Sequence, residues 1–386
     1  MEKINAKLIS WASLLEPATR EQAEACARMP FIHPYVALMP DAHLGLGATV
    51  GSVIPTLRAV MPAAVGVDIG CGMIAVRSQF QADDLSGRPL AKLRIAIERA
   101  VPLSAGGQNR TLTTTAMERI AELEAVPAVH PDQRHDRWRA QLGSLGSGNH
   151  FIEVSLDELQ RVWLFLHSGS RGVGNRMAQH HIGVATRLME RDRVELPDRN
   201  LAYLVEGTEE FEAYMRELRW AQRYALLNRA EMMDRVVECL SDFLDIQTVE
   251  QERINCHHNF TQLEQHFGER LWISRKGAIE ARTGQPGLIP GSMGTASYVV
   301  EGKGNDASLN SAPHGAGRAL SRSRARKTFT HAELREAMAG IEFRDSEVFL
   351  DEIPGAYKDI DAVMADAKDL VSIRHTLRQL VNVKGT

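Results

Sequence analysis

The residues able to do chemistry in this chain gather at glycine turns. "GVDIGCG", residues 66 to 72, sets Asp68 three positions ahead of Cys71 in a loop whose glycines permit tight backbone geometry. A carboxylate and a thiolate so spaced can converge on one metal, oxygen and sulfur being complementary donors. A buried cysteine beside a turn-making aspartate is the plainer account of the same residues. "GSLGSGNHFIEV" brings Asn149 and His150 to the start of an apolar strand. It is not a dinucleotide fingerprint, because no strand precedes the glycines and no helix follows them. In "RVWLFLHSGSRGVGN", His167 ends an apolar strand, where α/β folds present ligands. Ser168 to Arg171 then form a donor-rich turn entering a helix, and Arg171 can grip a phosphate bidentately. "INCHHNF" sets His257 and His258 side by side. Neighbours in a strand point to opposite faces, so only one of the pair reaches a shared site, and spacing does not choose between them. His180 and His181 lie in a helical stretch and read as structural or solvated.

Asp68, Cys71, His150, His167 and one of His257 and His258 are thus candidate metal ligands. One metal rarely needs all five. Two metals with a bridging ligand would use them, as in two-metal phosphoryl chemistry, and the soft cysteine points towards zinc. His314 stands between Pro313 and Gly315 in "LNSAPHGAGRALSRSRARK". The glycines let a phosphate approach the backbone, and a helix over 315–327 would offer it a positive N-terminus. Arg318, Arg322 and Arg326 recur every four residues, so on that helix they share one face, able to follow a phosphodiester backbone. A solvated basic helix gives the same pattern. A histidine beside a phosphate cradle and a metal pair can attack a nucleotide α-phosphate. Upstream, "RKGAIEARTGQPGLIPGSMG" adds Arg275, Lys276, Arg282 and a Gly/Pro/Ser loop suited to a nucleotide. These residues specify metal-assisted phosphoryl or nucleotidyl transfer and nothing narrower.

The elements that must hold them follow from periodicity. Helices are expected at 18–28, 90–101, 172–192, most of 207–244 and 331–339, and strands at 35–40, "HFIEV", "RVWLFLH" and in short runs through residue 302. The ending "LVSIRHTLRQLVNVKG" reads as helix or strand and then a final strand. The polar segment 103–142 reads as short helices around an exposed stretch. Strands and helices mix without regular βαβ spacing, which predicts an irregular α/β (α+β) fold, with the whole chain, residues 1–386, as one large catalytic domain. The composition, 44% apolar and 24% charged, is that of a globular protein with an ample core. The N-terminus lacks a secretory pattern, and no apolar run is long enough for a membrane span. Four cysteines without paired spacing fit a reducing cytoplasm. The net charge of −4 argues against a general nucleic-acid coat but leaves room for a local basic cleft.

In this order, "MPDAHLGLGATVGSVIP", "PAAVGVDIGCGM", "LGSGNHFIE", "LHSGSRGVGN", "INCHHN", "RKGA", "IPGSMG", "HGAGR", "DEIPGAYKDID" and the terminal "VKG" resemble the RtcB family of RNA-splicing ligases, from about residue 30 to the end. The resemblance implies mixed sheets around a central metal and nucleotide cleft. It implies joining of RNA ending in a 2′,3′-cyclic phosphate or 3′-phosphate to RNA bearing a 5′-hydroxyl, with GTP and two manganese ions in place of zinc. Metal ligation is implied for Asp68, Cys71, His150, His167 and His258, the second of the histidine pair. His314 is implied as the residue guanylylated by GTP, and Arg171 as the holder of the RNA terminal phosphate. Guanylate contacts are implied on Asn149, His150, Phe151, Ile152 and Glu153, on His258 and Asn259, and on Pro290, Gly291, Ser292 and Met293. They continue on Ser297, on His314, Gly315, Ala316 and Gly317, and on Lys384. A cytoplasmic enzyme of RNA repair or tRNA splicing, with an archease-type activator as a candidate partner and no membrane, completes the implied picture. Pro313, Leu46, the short 103–142 segment and Thr386 after "VKG" depart from the family pattern, and none of them removes a ligand. Two other readings compete: a metallophosphoesterase that opens cyclic phosphates without ligating, for which His314 would be superfluous, and an RNA-binding scaffold, for which the ligand set would be.

Overall fold

The computed structural model describes residues 1–385, and Thr386 lies outside them. Its two large sheets are built from strands far apart in the chain. A six-stranded sheet runs in the order Glu2–Asn5, Leu8–Ser10, Val36–His43, Val50–Thr56, Glu269–Lys276, Asn259–His266. An eight-stranded sheet follows the path Glu250–His257, Gly72–Gln81, Arg161–Ser168, Phe151–Leu156, Val371–Lys384, Ser297–Gly302, Pro286–Pro290, with Glu342–Phe343 pairing alongside Val371–Lys384. The mixture of helices with several sheets is the irregular α/β fold expected.

The apolar run "RVWLFLH" shows how the layers arise. Side chains of a strand alternate between faces, so an unbroken apolar run is stable only where both faces are covered. Trp163 and Phe165 enter one core with Val53, Leu271 and Ile273 of the six-stranded sheet. Val162, Leu164 and Leu166 enter another, shared with Met232, Met233, Val236 and Leu240 of the helix Glu209–Leu244. The eight-stranded sheet is therefore sandwiched between the other sheet and this long helix. Thr208 caps that helix by accepting from Phe211 N at 3.3 Å, and Glu209, Glu210 and Glu212 complement the positive end of its dipole. The turn before it, at Gly207, is exposed and has no neighbour within 4 Å of where a side chain would start. A third core joins the helix Arg171–Arg191 to Trp220 and Tyr224, and Trp138, Ile120 and Leu123 anchor the segment 103–142 there, leaving its outer residues exposed.

Two local expectations change. The basic helix covers only Arg322–Thr328, capped by Ser321, and residues 314–321 form a turn. Gly315 and Gly317 each weaken a helix by about 1 kcal/mol, and Gly317 takes a φ of 73°, where a Cβ would meet Asp41 O at 2.4 Å. Arg318 thus precedes the helix and does not share a face with Arg322 and Arg326. No helix N-terminus stands at His314. Among the described residues, the segment read as helix or strand and then strand is one long strand, Val371–Lys384. Among the described residues no helix is long and apolar enough to cross a membrane.

Candidate active site

The sheet order brings the candidate ligands to one edge. His167 lies opposite Met73 on one side and Phe151 on the other, and Cys256 lies opposite Met73. The residues just beyond these strand ends, Cys71, His150 and His258, consequently meet His167. Cys71 Sγ is 3.2 Å from His167 Nε2 and 3.5 Å from His150 Nε2. His167 Nε2 is 2.8 Å from His258 Nε2, and Asp68 Oδ2 is 3.2 Å from His150 Nε2. Gly70, at φ 68°, makes the loop possible: a Cβ there would strike Ala225 Cβ at 2.8 Å, so only glycine lets the loop lie against the long helix.

The imidazole tautomers decide what this cluster can hold. His150 Nδ1–H donates to Leu145 O at 2.9 Å, His167 Nδ1–H to Asn149 O at 3.2 Å, and His258 Nδ1–H to Asn259 Oδ1 at 3.1 Å. Each Nε2 therefore presents a lone pair inwards, the arrangement that metal-ligating histidines use. Two such lone pairs face each other across 2.8 Å at His167 and His258, a repulsion that a shared cation removes. Burial holds both rings well below the ordinary histidine range, so neither relieves the contact by protonation. Burial, and after it the Asp68 carboxylate, push the Cys71 thiol well above its usual value. A bound cation would reverse that and favour the thiolate. Oxygen, sulfur and three nitrogens with fixed tautomers fit a divalent transition metal. His257 does not join them. Its ring turns to Gly70 O at 2.9 Å, outside the cluster, as the opposite-face rule requires of one of the pair.

His314 stands against this cluster, its ring centroid 4.6 Å from that of His258. The fully buried Asp41 accepts from both His314 N, at 3.1 Å, and His314 Nδ1, at 2.5 Å. That fixes the ring and leaves Nε2 with its lone pair, on the wall of a cavity of about 320 Å³. Asn149, Phe151, Glu153, Asn259, Pro290 to Met293, Gly315 to Gly317 and Lys384 line the same cavity, together with Asp68, Cys71, His167 and His258.

Three expected contacts stand off the wall. Ile152, between Phe151 and Glu153 on an alternating strand, is turned into the core behind. Ser297 reaches the cavity only through Glu153, to whose Oε2 its hydroxyl donates at 3.2 Å. His150 contacts Cys71 and Asp68, which line the cavity, but does not itself line it. Arg171 is also off the cavity wall. Its Nε donates to Ser144 Oγ and its Nη2 to Ser104 O and Ala105 O, while Nη1 has no hydrogen bond among the described residues.

The cavity's far end is organised by a residue whose role the sequence left unread. Glu352 accepts from Lys384 Nζ at 2.8 Å, Tyr357 Oη at 2.6 Å, Arg318 Nη1 at 3.2 Å and also Arg322. Burial opposes its charge, but Lys384 and Arg322 outweigh that and hold it at about 2. Arg322 and Arg326 also pair with Asp351. The arginines thus meet carboxylates of "DEIPGAYKDID" and do not form a free basic stripe. Glu153 behaves oppositely: burial dominates over Ser297 and Lys384 and pushes it up to about 8, leaving it protonated at neutral pH. Asp41 was equally unread. It lies inside an apolar strand and meets a partner hundreds of positions away, and its one signal is an acid following "VALMP".

Comparison with known proteins adds identity to this geometry. The family model described as tRNA-splicing ligase RtcB matches residues 22–385. The chain is 47% identical to the RNA-splicing ligase RtcB of Escherichia coli K12, over 99% of this chain and 98% of that one. It is 30% identical to the tRNA-splicing ligase RtcB of Pyrobaculum aerophilum, over 98% of this chain and 94% of the relative, and 30% identical to that of Methanococcus maripaludis, over 89% and 86%.

Proposed function

This chain belongs to the RtcB family of RNA ligases, and on that premise we propose that it seals RNA through a guanylylated His314, using GTP and two manganese ions. The substrates are RNA ends bearing a 2′,3′-cyclic phosphate or 3′-phosphate and RNA ends bearing a 5′-hydroxyl. Asp68, Cys71, His150, His167 and His258 hold the metals. Bound there, the metals would supply charge neutralisation at the reacting phosphates and Lewis acidity towards water.

The protein's own residues do the rest. Asp41 keeps the proton on Nδ1 of His314, so Nε2 attacks the α-phosphorus of GTP. The new N–P bond forms as the bond to pyrophosphate breaks. An oxygen of the RNA 3′-phosphate then attacks that phosphorus and the His314 nitrogen leaves. The 5′-hydroxyl of the second RNA attacks the 3′-phosphorus, GMP departs and the hydroxyl proton passes to solvent. Phe151, Glu153 and Lys384 receive the guanine, with Glu153 as a neutral donor. Asn149, Asn259, Pro290 to Met293 and Gly315 to Gly317 surround the sugar and phosphate, and Ser297 acts through Glu153. Arg171 Nη1 offers a charged donor to the RNA terminal phosphate.

One observation carries this reading: the Asp41–His314 bond, which leaves a nucleophilic nitrogen on the cavity wall beside the thiol and imidazole cluster. The test is the intact mass of the protein after incubation with GTP and manganese, beside His314→Ala. A gain of one GMP in the parent alone supports it. No adduct in a parent shown to hold manganese, with or without an archease-type activator, overturns it.

A further inference from the structure

The long helix carries a buried polar pair that belongs to no apolar pattern. Asn228 and Arg229 are both wholly inaccessible to solvent. Arg229 Nη1 donates to Gly70 O at 2.7 Å and to Ser168 O at 3.0 Å, and its Nε donates to Asn255 Oδ1 at 2.8 Å. Its Nη2 lies 3.1 Å from Nδ1 of His257. Gly70 precedes Cys71, Ser168 follows His167, and Asn255 lies three positions before His258. One planar, rigid guanidinium therefore ties the backbones beside Cys71 and His167 to each other and to the Asn255 side chain of the strand that leads to His258. Asn228 extends the grip. Its Oδ1 accepts from Gly143 N at 2.7 Å and Ser144 N at 3.2 Å, while its Nδ2 donates to Ser144 O at 3.2 Å and Gly169 O at 3.1 Å. Leu145, next in the chain, is the carbonyl partner of His150 Nδ1. Gly169 lies against Asp68, whose Oδ1 would be 2.2 Å from a Cβ at that position.

We propose that Arg229, with Asn228 beside it, is the positioning residue of the metal centre: it sets the spacing of the ligand-bearing loops without touching metal, nucleotide or RNA. This rests on the ligand assignment made above. The physical argument is one of cost. A buried cation bonded to neutral groups alone is unfavourable, and a fold that needed only carbonyl partners would be served by a neutral amide. A guanidinium offers what an amide cannot, several donors in one fixed plane, and its charge stands behind a site that gathers a carboxylate and a thiolate when metal is bound. Groups that orient metal ligands from behind typically govern affinity by about 10- to 100-fold.

The experiment compares Arg229→Lys with the parent and with Arg275→Lys, an equally buried arginine held by Glu264, Ser311 and Leu309 away from the cluster. The readouts are the manganese dissociation constant by calorimetry, the thiolate-to-metal absorption of the cobalt-substituted protein, and the melting temperature. Expected for Arg229→Lys is a manganese affinity weaker by about 10- to 100-fold with an altered cobalt absorption, and a KM for manganese that rises more than kcat falls. Arg275→Lys should lose melting temperature with both metal readouts unchanged. Manganese affinity within twofold of the parent and an unaltered cobalt spectrum in Arg229→Lys would overturn the proposal. Should that variant not fold, Asn228→Ser takes its place: the same weakening supports the proposal, and unchanged affinity and spectrum overturn it. If the parent itself binds no manganese, or Cys71→Ser binds it as well as the parent, the ligand assignment fails instead.

Discussion

Cys71 and Glu153 show how strongly a single buried group depends on what faces it. Cys71→Ser keeps the volume but replaces the soft donor within reach of two imidazoles. We expect manganese affinity to fall by more than about 100-fold, beyond the loss typical for groups behind a ligand, as measured by calorimetry, with RNA joining lost in parallel. For Glu153 the sign follows from its raised value. The folded protein holds the proton up to about pH 8, whereas the unfolded chain releases it near 4.5. Between those values the folded state binds more protons, so stability falls as pH rises through that window and levels off above it. Each pKa unit corresponds to about 1.4 kcal/mol, so the slope should be visible in melting temperatures from pH 5 to 9 and should vanish in Glu153→Gln. Asp68, Cys71, His150 and His167 were legible from sequence because each sits at a glycine turn or strand end, where side chains are free to converge. Asp41, Glu352, Asn228 and Arg229 were not. Asp41, Asn228 and Arg229 interrupt a buried strand and a long helix, Glu352 ends a short turn, and partners distant in sequence explain them.

Secondary structure supplies the next level of control. On the strand Phe151–Leu156, Phe151 and Glu153 face the cavity while Ile152 faces the core beneath. Ile152→Ala should therefore cost about 2–5 kcal/mol of stability, measured by denaturant unfolding, and leave the GTP concentration for half-maximal guanylylation unchanged. A tenfold weaker nucleotide response would mean that the strand's register had slipped. Alternation is readable in "HFIEV", which is why this strand and its neighbour "RVWLFLH" are evident from sequence. The basic helix is shorter than its arginine spacing implies, because such spacing describes a face only if the backbone is helical, and Gly315 and Gly317 prevent that before Arg322. The acidic partners Asp351 and Glu352, which turn those arginines inwards, lie on a separate turn whose approach no local pattern announces.

At the level of the whole molecule, the candidate ligands span residues 68 to 258 and the cavity wall extends to Lys384. The unfolded chain holds no comparable site, so a metal held by the proposed ligands would bind the native state and stabilise it by mass action. Manganese at 100 times its dissociation constant should add about 2.7 kcal/mol, seen as a higher melting temperature that a chelator abolishes. His314→Ala, which leaves the proposed ligands in place, should keep that shift. The same dispersal has a use. A break at the exposed turn of Gly207 would leave Asp68, Cys71, His150 and His167 on one polypeptide and His258, His314 and Lys384 on the other. Neither half would contain a complete metal centre or a nucleophile in its setting. Fused to two proteins that meet, the halves would make RNA sealing itself the report of the meeting.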